Sequence, residues 1–284
     1  MAQLPNIKSH MREIIGCPIV QQCLNGDNSH PCAVLVNSQE KSKPFHVPTP
    51  WVGNLKDARV LMVSSNPSID IGELYPAGHL YNGDHFVGNE EWLTEDEVFD
   101  YFNNLFKGSH YKKWVSDRRV LGKDGKYRQK NRYWGAVQKL TRELLGSDAK
   151  LGEDVAITEI VRCKSKRERD GVDQAATVCP ERYLEKTLQL SGADVIIFAG
   201  KFAVQTFRKR YRDDISVPPN AHREGHISGP HRIKSLGTRE RYFAFLPHPT
   251  GTHGPSNFTA LFKDEARYKQ LENLRNFLKN DRGL

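Results

Sequence analysis

The sequence has no apolar run close to the ~20 residues needed to cross a bilayer. Met1 to Lys8 is polar and lacks the apolar core of a secretory signal. A cytoplasmic location and no membrane partner are expected. Cysteine is scarce and odd in number, at five. Such a set does not suit a secreted disulfide framework and fits reduced thiols or metal ligands. No internal repeat or low-complexity tract is present. Acidic residues are nearly missing from one stretch. Between Lys107 and Arg142, twelve Lys or Arg stand against Asp117 and Asp124, a local +10 that exceeds the whole chain's +8. Tyr111, Trp114, Tyr127, Tyr133 and Trp134 are interleaved with them. A basic block carrying aromatics is an electrostatic footprint for nucleic acid. Lys126, Arg128, Lys130 and Arg132 are the expected phosphate contacts, joined further on by Lys164, Lys166 and Arg167.

What is present centres on Val60-Leu61-Met62-Val63-Ser64-Ser65-Asn66-Pro67-Ser68-Ile69-Asp70. A short apolar run ends in a polar turn, the pattern of a buried parallel strand and its following loop. Ligands collect at the carboxyl ends of such strands, so Asn66 and Asp70 stand where chemistry is expected. Further strands are expected over Val155–Val161, Val195–Ala199 and Tyr242–Leu246. Helices are expected over Ser9–Gln22, from Thr94, over Trp134–Leu145 and Pro180–Leu190, from Gly200 to Phe207, and over Phe258–Leu278. Thr94 and Glu97 have the spacing of a capping box. Residues 70–89 make a connection too long to be ordinary, and 213–237 reads as loop. Strands alternating with helices give the α/β class: a three-layer α/β/α sandwich around a mainly parallel sheet of four or five strands. One domain over 1–284 is expected. It has a Cys-containing helical extension over 1–50 and a basic insertion over 107–135.

Three strand ends carry polar signatures: Asn66-Pro67-Ser68, Thr158-Glu159 leading to Cys163, and His248-Pro249-Thr250. Their types and order resemble the uracil-DNA glycosylase superfamily. Ile157-Thr158-Glu159-Ile160-Val161-Arg162-Cys163 looks like the Thr-Asn-Val-Val-Lys-Cys-Arg-Pro stretch of its iron–sulfur branch. Val195 to Gly200, followed by Ala203, resembles that branch's strand-Leu-Gly-x-x-Ala segment. The resemblance covers roughly residues 50–275. It implies a monofunctional DNA N-glycosylase that flips out a base and leaves an abasic site. Asn66 then positions the attacking water and His248 donates to the base O2, with Asp70 or Glu73 as an assisting carboxylate. Ser65 lines the base site. For stacking on the flipped base there are two candidates, Phe86 in Gly83-Asp84-His85-Phe86-Val87-Gly88 and the nearer Tyr75.

Cys163 and Cys179 match two cluster ligands of that branch. The other two of a [4Fe–4S] set would come from Cys17, Cys23 and Cys32, with Cys17 and Cys23 taken first and Cys32 as alternative. The branch's close Cys-x-x-Cys pair is absent. Glu159 stands where uracil-removing relatives have a base-reading Asn. An ionised carboxylate has acceptors only and repels uracil O4. Cytosine offers an N4 donor, and a protonated Glu159 also donates to N3. The resemblance and this residue together point to a modified cytosine, hydroxymethylated or glucosylated as in phage DNA, and a role in antiviral defence. Removal of uracil in DNA repair is the alternative, and a non-catalytic DNA-binding module is a further one. A monomer is expected.

Overall fold

A computed structural model of the chain describes residues 6–39, 45–70, 72–82, 85–107, 114–166, 170–251 and 257–280. The strands formed there are β1 (Val60–Ser64), β2 (Tyr81–Asn82), β3 (His85–Phe86), β4 (Val115–Ser116), β5 (Arg119–Val120), β6 (Val155–Glu159), β7 (Val195–Ala199), β8 (His226–His231) and β9 (Arg241–Leu246). β1, β6, β7 and β9 are buried at every position. A strand covered on both faces reads as a near-continuous apolar run rather than an alternating one, with polar residues kept to its ends. That is why Val195-Ile196-Ile197-Phe198-Ala199 reads as an unbroken run.

These strands form one sheet in the order β6-β1-β7-β9-β8. β1 and β9 each run parallel to β7, with Val60 and Tyr242 both opposite Val195. β8 is antiparallel to β9. The class is the expected α/β, with a mainly parallel five-stranded central sheet and helices consistent with a three-layer α/β/α sandwich. The fifth strand, β8, lies where a loop was expected. Its sequence, His-Ile-Ser-Gly-Pro-His, contains a Gly-Pro pair that hides the strand signal, and an edge position tolerates such a pair.

Helix Lys201–Arg210 packs on β7 and β1, and helix Glu265–Asn280 packs on β8 and on helix Arg132–Leu145. The tail expected as one helix is two, Phe258–Leu261 and Glu265–Asn280. The N-terminal helix is also two, Ile7–Ile15 and Pro18–Leu24, separated at Gly16-Cys17. Pro18 opens the second, where its missing N–H costs nothing. On helix Glu95–Asn104 the capping box forms as expected: Glu97 N–H donates to Thr94 Oγ1 at 3.2 Å, and Thr94 N–H donates to Glu97 Oε2 at 3.3 Å. The expected basic insertion contains the β4–β5 hairpin, whose turn residues Asp117 and Arg118 have φ of 46° and 62°.

Contacts divide the chain into two compact units interleaved in sequence. One takes Met1–Val52, Ser65–Lys130 and Glu159–Leu190, and the other Gly53–Ser64, Asn131–Thr158 and Ser191–Leu284. The crossings at 64–65 and 158–159 fall at strand ends, where no change of composition marks them. No helix among the described residues is long and apolar enough to cross a membrane.

Candidate active site

In the first unit, the loops that follow β1 and β6 are zipped together. Val161 N–H donates to Ser65 O at 2.9 Å, Ser165 N–H to Pro67 O at 3.1 Å, and Ile69 N–H to Ser165 O at 3.1 Å. The pairing fixes Asn66. Its Nδ2 donates to Ser165 Oγ at 2.8 Å and to Pro67 O at 3.1 Å. Both amide protons are thereby used, and the acceptor Oδ1 is what Asn66 has left to offer a water. Ser65 is buried between these loops. Asp70 is exposed and accepts from Gly72 N–H at 2.9 Å, a local turn contact.

Glu159, the last residue of β6, is 5% exposed, and its Oε2 has no hydrogen-bond partner among the described residues. Burial pushes its carboxyl up to about 7, against the opposing pull of Arg162 and Lys164. Arg162 is itself buried, donating through Nη1 to Pro50 O at 2.6 Å and through Nη2 to Thr187 Oγ1 at 2.8 Å.

The structure moves several expected residues to other tasks. Tyr75 is buried, with its hydroxyl bonded to Thr49 Oγ1 at 2.7 Å and donating to Val47 O at 3.2 Å. His46 stacks on its ring at 5.0 Å, the Lys164 ammonium lies 3.6 Å from its centroid, and Tyr101 and Phe102 pack against it in T-shaped contacts. Its ring is committed to packing and offers no open face to a base. Phe86, in β3, is half-buried with an edge contact to Tyr81 and remains the stacking candidate. Lys164 is no phosphate contact: it is buried and ion-paired to Glu73. Arg128 is half-buried and donates twice to Gly72 O, at 3.2 and 2.7 Å, so it pins the Asp70–Glu73 turn rather than facing DNA. Lys130 is exposed but ion-paired to Asp117. Lys126, Arg132 and Lys166 are exposed, and Arg167 lies outside the described residues.

In the second unit, His248 is half-buried just past the end of β9. Thr250 N–H donates to its Nδ1 at 3.4 Å, and Thr250 Oγ1 lies 3.2 Å from the same nitrogen. A backbone N–H can only donate, so Nδ1 accepts and the neutral ring carries its proton on Nε2, as a donor. Tyr133 stacks on the imidazole at 5.4 Å and 19°, and its hydroxyl is 2.7 Å from Ser64 Oγ. Gly200 has φ +89°, and a Cβ there would meet His248 Cβ at 3.3 Å, so only glycine lets β7 close so near the histidine. The sequence shows Tyr133 only as one aromatic of the basic block. Its partner His248 is more than a hundred positions away, and nothing local reveals the stack.

The cysteines are all free. Cys17, Cys32, Cys163 and Cys179 line one cavity of about 300 Å³ in the first unit, and Cys23 is not among its lining residues. Cys32, the alternative in the expected ligand set, lines this cavity, and Cys23 does not. Burial, with neighbouring cysteines adding to it, pushes the Cys32 thiol up to about 12 and Cys163 well above its ordinary value. Cys179, pulled back by Arg162, reaches about 11. Among the described residues no group of three or more His, Cys, Asp or Glu converges to hold a single metal ion. Thiols on one ion bring their sulfurs within about 4 Å of each other.

A family model described as the Uracil DNA glycosylase superfamily matches residues 50–269. A type-4 uracil-DNA glycosylase of Archaeoglobus fulgidus is 35% identical to this chain over 71 residues, 25% of this chain and 35% of that protein's length.

Proposed function

The chain belongs to the uracil DNA glycosylase superfamily, and from that premise we propose that it is a monofunctional DNA glycosylase that excises a modified cytosine, hydroxymethylated or glucosylated, from phage DNA. The observation that carries the choice of base is Glu159: a buried carboxyl with an unpartnered oxygen and a proton retained to about pH 7. Its carbonyl accepts from cytosine N4 and its hydroxyl donates to N3. Asn66 Oδ1 holds a water under the sugar, and the Nε2–H of His248 donates to O2 of the base. The C1′–N1 bond breaks, its electrons leaving with the base, as the water oxygen bonds to C1′ and the water's proton passes to the assisting carboxylate of Asp70. The charge left on the base is spread over O2 and N3, where His248 and Glu159 donate. Asp70 is the assisting carboxylate, and Phe86 stacks on the flipped base. Incubation with DNA carrying modified cytosines, followed by alkali, is expected to give strand breaks at abasic sites. Binding without any breaks would instead mark a non-catalytic module.

Phosphate contacts come from the exposed Lys126 and Arg132. Charge reversal at both is expected to weaken binding about equally for all DNA sequences and to reduce the slope of log affinity against log salt by about 2. Titration of fluorescent duplexes across a salt series reads this directly. An unchanged slope would leave these side chains as a solvated face.

Cys17, Cys32, Cys163 and Cys179 are proposed to hold a [4Fe–4S] cluster, which when bound ties the N-terminal extension to the loop after β6. Cys32→Ser is expected to abolish iron content and visible absorption in anaerobically purified protein, while Cys23→Ser retains both. Loss of iron in Cys23→Ser with retention in Cys32→Ser would reverse the assignment.

A further inference from the structure

In the second unit, the backbone on either side of the His248 imidazole is fixed. Leu246, the last residue of β9, accepts from Gly200 N–H at 2.8 Å, and His248 O accepts from Gly251 N–H at 2.9 Å. The ring itself still turns about χ2, a broad torsion with two wells half a turn apart. Two errors of aim therefore need separate remedies. A half-turn flip exchanges the ring nitrogens with carbons and removes the Nε2–H donor from its place. A smaller tilt keeps the nitrogens in order and points the donor off its line. Thr250 opposes the flip, because its N–H, 3.4 Å from Nδ1, requires an acceptor that a ring carbon does not supply. A hydrogen bond that long resists a tilt only weakly. Tyr133 opposes the tilt, since its ring lies against the imidazole at 5.4 Å and 19° from parallel.

We propose that Tyr133 is a positioning residue for glycosidic-bond cleavage: a ring held at both ends sets the plane in which His248 presents its Nε2–H to O2 of the leaving base. The inference rests on the proposed role of His248 as that donor. One end of Tyr133 is its backbone, in the first turn of helix Arg132–Leu145, where the Asn131 side chain caps the helix by accepting from Trp134 N–H at 3.1 Å. The other end is its hydroxyl, 2.7 Å from Oγ of Ser64, a buried residue that closes β1. A half-buried ring fixed by its backbone alone hops between χ1 rotamers. The Ser64 hydroxyl stops that hop, and this is what tyrosine supplies here and phenylalanine does not. Ser64 stands two positions before Asn66 in the chain, so the strand that leads into the water-holding turn also steadies the support of the donor. Aim matters most in the transition state, where charge develops on O2, so a loosened ring slows turnover without weakening DNA binding.

Single-turnover excision and DNA titration of the full chain test this. Tyr133→Leu is expected to lower turnover about tenfold, the size of an aromatic stack's contribution, with DNA affinity unchanged. Tyr133→Phe and Ser64→Ala each remove the same hydroxyl contact and should each cost about threefold. Their double variant should be no slower than either alone. In a His248→Ala background, Tyr133→Leu should cost nothing further. ¹⁵N spectra of the imidazole at pH 8 give a readout that needs no substrate: one tautomer, protonated on Nε2, in the wild type, and a mixture of both in Tyr133→Leu. A single tautomer retained in Tyr133→Leu overturns the inference, as does a loss of affinity that matches the loss of turnover. Where Tyr133→Leu does not fold, the two hydroxyl variants decide, and losses that add in the double variant overturn it. Wild-type turnover in Tyr133→Leu beside a slow His248→Ala rejects the positioning role and leaves His248 as donor. Wild-type turnover in His248→Ala itself removes the premise, and the inference with it.

Discussion

His248→Ala is expected to lower turnover by on the order of 10²–10³ while leaving DNA affinity largely intact. The size follows from what the imidazole supplies. Charge develops on O2 of the leaving base as the glycosidic bond breaks, and a donor aimed at that oxygen acts mainly in the transition state. Three contacts prepare the donor: the Thr250 N–H sets the tautomer, Tyr133 holds the ring plane, and Gly200 gives the ring room. The proposed phosphate contacts, Lys126 and Arg132, are untouched, so binding is expected to persist. Single-turnover excision with a parallel binding titration separates the two effects. Equal turnover in His248→Ala and wild type would remove His248 from the chemistry.

Excision of a modified cytosine by the wild type is expected to fall about tenfold per pH unit above about 7, as Glu159 loses the proton that meets N3. The same proton has a consequence for stability. The folded carboxyl titrates near 7 and the unfolded one near 4.3, so the raised value favours the neutral form in the fold. That contribution is fully present below about pH 4.3 and is lost as pH rises through about 7, where the fold must bury a charge. Glu159→Gln keeps the shape and removes the titration. It should therefore match the wild type in stability at pH 4 and exceed it by on the order of 3 kcal/mol at pH 8. Urea denaturation at the two pH values checks this. A difference that is the same at both would mean that Glu159 does not titrate in this range.

The sheet was largely legible because its strands are buried on both faces. Val60–Val63, Val195–Ala199 and Tyr242–Leu246 are apolar runs that no amphipathic helix would show. β8 was hidden by Gly229-Pro230, which an edge strand tolerates and a sequence pattern does not forgive. At the candidate site, the turn residues Asn66 and His248 stand out because each closes an apolar run. The tasks of Lys164 and Arg128 do not. Their partners, Glu73 and the Gly72 carbonyl, lie 91 and 56 positions away, so both look like surface cations. Cys32 shows the same limit. Spacing favours neither Cys23 nor Cys32, and only the cavity's lining separates them.

The most direct measurement compares excision of uracil with excision of hydroxymethylated and glucosylated cytosine from matched duplexes, by the wild type and by Glu159→Asn. The Asn amide donates to uracil O4 and accepts from N3–H, a pattern that a protonated Glu159 turns around. Wild type is expected to remove a modified cytosine and spare uracil, and Glu159→Asn to lose the first activity and gain the second. Efficient uracil removal by the wild type, with no product from any modified cytosine, would contradict this.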